Sequence, residues 1–255
     1  MDRTTLKRLG AAAIVVLAVL FVSAGGASAQ PKGPNEASPL GILPRDDADI
    51  GASQPTPEQL CRAGKRFFCS NLTFSVAQGP RNHRTLVVQG QIGEGDYQRF
   101  RQALAEAGPI DDIVLNSPGG YLDEGLAIGR FIRGRRLTTR IPNGFLCISA
   151  CNFIFMGGVV RYVDPGGKFA AHMFTASGSK TFVQDVLAEA QTRGLEATIR
   201  DIEQESAETA AKVARFLVEM SVSLRFLTEF AAIPNDHPRV LSIDELREYN
   251  IVNTD

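Results

Sequence analysis

One strand and the turn that stops it constrain this chain most. Asp112-Ile113-Val114-Leu115-Asn116 is apolar at its centre on both alternating positions, and Ser117-Pro118-Gly119-Gly120 follows at once. A run apolar on both faces belongs to a strand covered on both sides, the usual state in parallel sheets. Proline holds the turn extended at its entrance, and paired glycines admit backbone angles and close approaches closed to other residues. A turn of this type can also aim backbone N–H groups at a developing negative charge, although plain strand-to-helix turns share the same composition.

The flanking sequence alternates in the same manner. Thr85–Gly90 reads as a strand, Gly93-Glu94-Gly95-Asp96 leads into a helix over Tyr97–Ala107, and the Asp112–Asn116 strand comes next. The spacing of Leu122, Leu126, Ile128 and Ile132 predicts a helix over Tyr121–Arg133, followed by a strand at Leu137–Ile141. Cys151–Met156 is an apolar helix closed by Gly157-Gly158. Short strands follow at Arg161–Val163 and Phe169–His172, then a long, mostly helical stretch from Ser179 to Phe230. Ser242-Ile243-Asp244-Glu245 has the spacing of a capping box opening a last helix. Strand and helix in alternation imply an α/β domain with parallel strands.

The beginning of the chain is of another kind. Arg3, Lys7 and Arg8 precede an apolar run from Leu9 to Gly26, and Ala27-Ser28-Ala29 closes it before Gln30. That is the plan of a secretory signal peptide at 1–29, cut after Ala29, with the protein periplasmic or secreted. The alternative is an uncleaved inner-membrane anchor formed by residues 9–26, the one route by which a membrane would become a partner. Residues 30–56, rich in Pro, Gly, Ala, Ser and Asp, read as a disordered linker, which leaves 57–255 as the domain. Pro57 opens a short helical pattern there.

Lys and Arg number 27 against 28 Asp and Glu, so charge gives no case for nucleic acid or anionic lipid as the main partner. With no Trp, stacking on sugars or bases is also disfavoured. Export matters for the four cysteines, because disulfides persist outside the reducing cytosol. Cys61 with Cys69 and Cys147 with Cys151 are the close pairs, and local pairing is the simplest of three connectivities. Buried thiols are the other reading. Neither pair has zinc spacing, so no metal and no cofactor are expected.

Two further residues could carry chemistry. Ser149 stands before the Cys151–Met156 helix, where a hydroxyl is next to backbone N–H groups without helical partners. That suits a nucleophile whose oxyanion is held by the next amide. Serine is also a common helix N-cap. His172, at the end of an apolar run, could serve as a general base or be a packed core histidine. His83 and His237 lie in polar loops and read as surface residues.

Taken in order, Asn116 to Gly120, Ser149 with Gly157-Gly158 closing its helix, and His172 twenty-three residues after Ser149 resemble the proteolytic subunit of the Clp protease family. The likeness lies within the wider Clp/crotonase fold and is greatest to exported, stand-alone relatives. It runs from about Leu86 to Val252, including Leu241-Ser242 and Glu248-Tyr249-Asn250-Ile251-Val252. The resemblance implies a spiral of β-β-α units with a long helical insertion after the histidine-bearing strand. It further implies a serine peptidase with Ser149 as nucleophile, His172 as base and the Gly120 and Ala150 amides as oxyanion hole. Asp236 would be the third triad member, with Asn235 as fallback. Substrates would be short or unfolded peptides, cut without an ATPase partner, and the resemblance also allows a homo-oligomer. A catalytically inactive peptide-binding or assembly module on the same fold is the alternative. A crotonase-type enzyme is disfavoured, since export removes its CoA substrate.

Overall fold

The computed structural model describes residues 70–174 and 180–254. The leader, the linker, the Pro57 helix and the Cys61/Cys69 pair lie outside the described residues. Among the described residues no helix is long and apolar enough to cross a membrane.

Among the described residues eight strands form two sheets. β1 (Thr73–Gln78), β2 (Arg84–Gln89), β3 (Asp112–Asn116), β4 (Thr138–Ile141) and β6 (Val160–Val163) lie side by side in that order. β5 (Leu146–Ile148), β7 (Lys168–Ala171) and β8 (Arg239–Val240) form the second. β2, β3, β4 and β6 are mutually parallel, as the alternation predicts, and so are β5 and β7. Two antiparallel edges were not foreseen: β1 on β2, and β8 on β7. β1 alternates polar and partly buried residues and carries little apolar signal, and β5 and β8 are only three and two residues long. Such strands exist because a neighbour offers backbone partners, which no local pattern records.

The helices are α1 (Asp96–Ala107), α2 (Leu122–Gly134), α3 (Ala150–Met156), α4 (Lys180–Arg193), α5 (Leu195–Glu219), α6 (Arg225–Ala232) and α7 (Ile243–Glu248). The expected helical stretch after His172 is therefore three helices. Only the C-terminal part of α5 joins the main core, through Val213, Phe216 and Leu217, while Leu195 and Ile199 near its start remain exposed. The capping box at α7 forms as its spacing implies: Ser242 Oγ accepts from Glu245 N, and the Glu245 carboxylate accepts from Ser242 N at 2.8 Å.

α3 is buried over its whole length, and α2 lies directly on it. A Cβ added at Gly125 would stand 2.5 Å from the Ala150 carbonyl oxygen, and one at Gly129 would stand 2.3 Å from that of Phe153. The two backbones touch where side chains would hold them apart. Phe153 and Phe155 then reach outward to Phe216, Phe230 and Phe169 in edge-to-face contacts.

At the far end of α3, Arg161 is 1% exposed and has no carboxylate partner. Its guanidinium donates instead to the carbonyls of Met156, Gly158, Met220, Asn250 and Ile251. Burial, and then the nearby Arg133 cation, lower its pKa to about 10, so it is still charged at neutral pH. One side chain thus ties the end of α3, the end of α5 and the C-terminal segment together. Arg161→Met would fill similar volume and remove the guanidinium donor from the Gly158, Asn250 and Ile251 carbonyls, while Arg133 Nη2 still donates to Met156 and Met220. Since each buried acceptor left unpaired costs about 1–3 kcal/mol, the variant should lose about 3 kcal/mol or more in urea unfolding.

Candidate active site

β3 and β5 stop at the same edge, and their turns are tied together. Beyond β3, Ser117 bridges Cys147 in parallel: Ser117 N donates to Leu146 O at 2.8 Å, and Ile148 N to Ser117 O at 3.0 Å. The turn ordered by Ser117-Pro118-Gly119-Gly120 and the turn carrying Ser149 consequently face each other. A Cβ on Gly119 would lie 2.6 Å from Ser149 Cβ and 3.0 Å from Ala150 N. On its other side the glycine pair is fixed by Ile92, whose N–H donates to Gly119 O and whose carbonyl accepts from Tyr121 N. Gly119 and Gly120 have φ of 93° and 139°, which the turn requires and side chains resist.

Which amides are available follows from these bonds. Gly119 N is used locally, donating to Ser117 Oγ at 3.1 Å. The N–H groups of Gly120 and Ala150 donate to no described residue. They are the two amides expected as oxyanion donors, and they belong to two turns that meet where Gly119 lies against Ser149 and Ala150 N.

Ser149 is not an N-cap. Its hydroxyl makes no capping hydrogen bond, and its backbone sits at φ 58°, ψ −124°, whereas caps are extended with negative φ. A non-glycine residue so placed is strained by about 1–3 kcal/mol and persists only where its surroundings dictate the geometry. Cys147 and Cys151 on either side form a disulfide, with Cα atoms 5.3 Å apart.

His172 follows β7 directly, and β7 runs parallel to β5 with Ile148 opposite Ala170. That register sets His172 at the same strand ends as Ser149. The half-buried ring places Nδ1 2.7 Å from the Met173 carbonyl. A carbonyl only accepts, so in the neutral ring Nδ1 holds the proton and Nε2 keeps the lone pair. Burial pushes the imidazole pKa below its ordinary value, opposed in part by that carbonyl. No hydrogen bond joins Ser149 to His172 among the described residues.

Asp236 is not brought to His172. Its carboxylate is exposed and pairs with His237 Nδ1 at 2.9 Å, which holds it below the usual carboxylate range. The partner that orients His172 here is a backbone carbonyl, and a carbonyl leaves no trace in sequence. The loop still runs close by, because Met173 N donates to Ile233 O. His237 is exposed, as expected. His83 is not a plain surface residue: its half-buried ring lies 3.2 Å from buried Asp112 and 3.7 Å from Asp111.

Asn152 is a further residue of the site, one that the sequence reading passes over. It is buried one turn after Ser149, and its Nδ2 donates to Ala170 O at 2.8 Å, joining the serine's helix to the histidine's strand. Its Oδ1 has no hydrogen-bond partner in this structure. An asparagine in an otherwise apolar helix was the available clue. A cavity of about 510 Å³ lined by Tyr97, Arg130, Phe131 and Arg135 lies towards the far end of α2 and includes neither Ser149 nor His172. Among the described residues no group of three or more His, Cys, Asp or Glu could hold a metal ion.

The structure is similar to that of ClpP1 from Listeria monocytogenes, with TM-score 0.46, 18% identity, and coverage of 66% of this chain and 88% of that one. A point variant of the same protein gives TM-score 0.45 at the same identity and coverage. A variant of the membrane-bound stomatin-specific protease 1510-N gives TM-score 0.41, 17% identity, and coverage of 66% and 75%. No protein-family model matches the sequence, nor does any curated protein.

The closeness of the two turns has a direct consequence. Gly119→Ala would add a methyl group against Ser149 at a positive φ, so it should destabilise the domain by about 1–3 kcal/mol in chemical unfolding. A fully stable Gly119→Ala protein would mean that the turns do not touch.

Proposed function

We propose that this protein is an exported serine peptidase that hydrolyses peptide bonds of short or unfolded substrates without an ATPase partner. One observation carries the proposal: a strained, uncapped Ser149 packed against the Gly119-Gly120 turn, with the N–H groups of Gly120 and Ala150 unpaired among the described residues. A packing role explains neither the strain nor the two unpaired N–H groups.

In the mechanism, Ser149 Oγ attacks the scissile carbonyl as His172 Nε2 takes its proton. The carbonyl oxygen becomes an oxyanion and is held by the Gly120 and Ala150 amides. The intermediate collapses as His172 returns the proton to the leaving amine, which leaves an acyl-serine. Water, deprotonated by the same nitrogen, then releases the carboxylic acid and restores Ser149. The Met173 carbonyl keeps the proton on Nδ1, the orienting task an acidic residue performs in a full triad. Asp236 would join only after the 234–238 loop exchanges His237 for His172.

Export rests on the leader at 1–29, with membrane attachment through residues 9–26 as the other outcome of the same segment. Homo-oligomerisation fits the exposed apolar residues Val183, Leu187, Leu195 and Ile199 on α4 and α5. The second reading is a peptide-binding module that cuts nothing. It is favoured by the missing Ser149–His172 hydrogen bond and by Asp236 being engaged elsewhere.

Labelling with a fluorophosphonate separates the two. Wild type should be labelled at Ser149, and Ser149→Ala should abolish the adduct. Peptide hydrolysis should fall by about ten-thousand-fold or more in Ser149→Ala or His172→Ala, with the double variant no worse. A wild type that binds peptide and is never labelled would establish the binding module.

The pH profile gives a separate check. The base must be neutral to accept a proton, and burial disfavours the charged ring. Activity should therefore persist as pH falls through the ordinary histidine value of about 6.5 and decline only below it. An acid limb of kcat/KM at or above that value would rule out a buried His172 as the base.

A further inference from the structure

The disulfide stands in a revealing place. Cys147 is the middle residue of β5, Cys151 is in the first turn of α3, and Ser149 is midway between them. Both cysteines are fully buried. A cross-link over so short a loop removes little entropy from the unfolded chain, so global stabilisation accounts poorly for its position. Its effect is local. Left to itself, a serine between a strand and a helix relaxes to the extended cap conformation, and its hydroxyl turns to the helix end. Here one flank of the turn is held by Gly119 and by the hydrogen bond from Ile148 N to Ser117 O. Across the turn itself, the covalent link is the connection between strand and helix.

We propose that the Cys147–Cys151 disulfide is a clamp that holds Ser149 at its strained backbone angles and keeps the Ala150 amide directed beside it. The proposal deepens the peptidase reading and rests on it for its kinetic consequences, though not for its structural one. An oxidising compartment would then be a condition of reactivity as well as of folding. Reduction by a dithiol would convert the bond to two thiols, the dithiol giving up two electrons and two protons and closing to its own disulfide. The thiol form would keep the fold and lose the nucleophile's geometry. Because both sulfurs are buried, native reduction needs local opening, so substitution is the cleaner probe.

The test uses the full chain carrying Cys61→Ala and Cys69→Ala, so that only one disulfide is in play. In that background, Cys147→Ala/Cys151→Ala should lower the fluorophosphonate rate constant at Ser149 by about tenfold or more while labelling still goes to completion. With peptide substrate, kcat should fall and KM should not. A purely structural bond predicts the reverse: a smaller reactive fraction with an unchanged rate constant, and that result would overturn the clamp. If the double variant does not fold, dithiothreitol on the parent protein should slow labelling and reoxidation should restore it. If the parent is never labelled, the peptidase reading fails and the clamp is judged by amide exchange. Faster exchange at Ser149 and Ala150 on loss of the disulfide upholds it, and unchanged exchange refutes it.

Discussion

The contact of α2 with α3, backbone on backbone, is the constraint on which the site depends. Gly125 and Gly129 leave no side chain between the helices, so the start of α3 is drawn against the start of α2. Gly157 repeats the contact from the opposite side, since a Cβ there would be 2.3 Å from Gly129 O. The turns that precede these helices are brought together as a result. A single larger residue at any of these positions would separate the Gly119-Gly120 turn from Ser149. The juxtaposition of the two turns is thus a consequence of helix packing more than of either turn alone.

Other links fix the same pair of elements against the sheets. Thr139 Oγ1 donates to Phe155 O at 2.7 Å, which joins α3 to β4, and Asn152 joins it to β7. Arg161 gathers the far end of α3 with the chain terminus. α3 is held at both ends and along its length, so strain at Ser149 is opposed by many contacts. This is the condition under which an unfavourable backbone angle persists in a folded protein.

The electrostatics of the site come from the main chain. Two amides stand free, and a carbonyl sets the histidine tautomer. The ring's own burial keeps it neutral. Backbone dipoles held rigidly need no rearrangement when charge develops, which is what makes such donors effective in an acyl-transfer site.

Much of this was legible beforehand. Apart from β5, the strand and helix positions from Arg84 to Ala171 follow from apolar periodicity and from glycine and proline stops, because burial acts on each element locally. Ser149, His172, Gly120 and Ala150 stand out in sequence as candidates only, through residue type, order and the resemblance they carry. The short strands β5 and β8 and the antiparallel edges came only from partners distant in sequence. The Met173 carbonyl at Nδ1, the pairing of Asp236 with His237 and the role of Asn152 were equally hidden. Each is a hydrogen bond whose partner is chosen by folding, and main-chain atoms are the same at every position. Sequence determined which residues could react. Tertiary structure alone decided that the Gly119-Gly120 turn would meet Ser149 and Ala150, because their meeting depends on two helices touching where α2 presents only glycine.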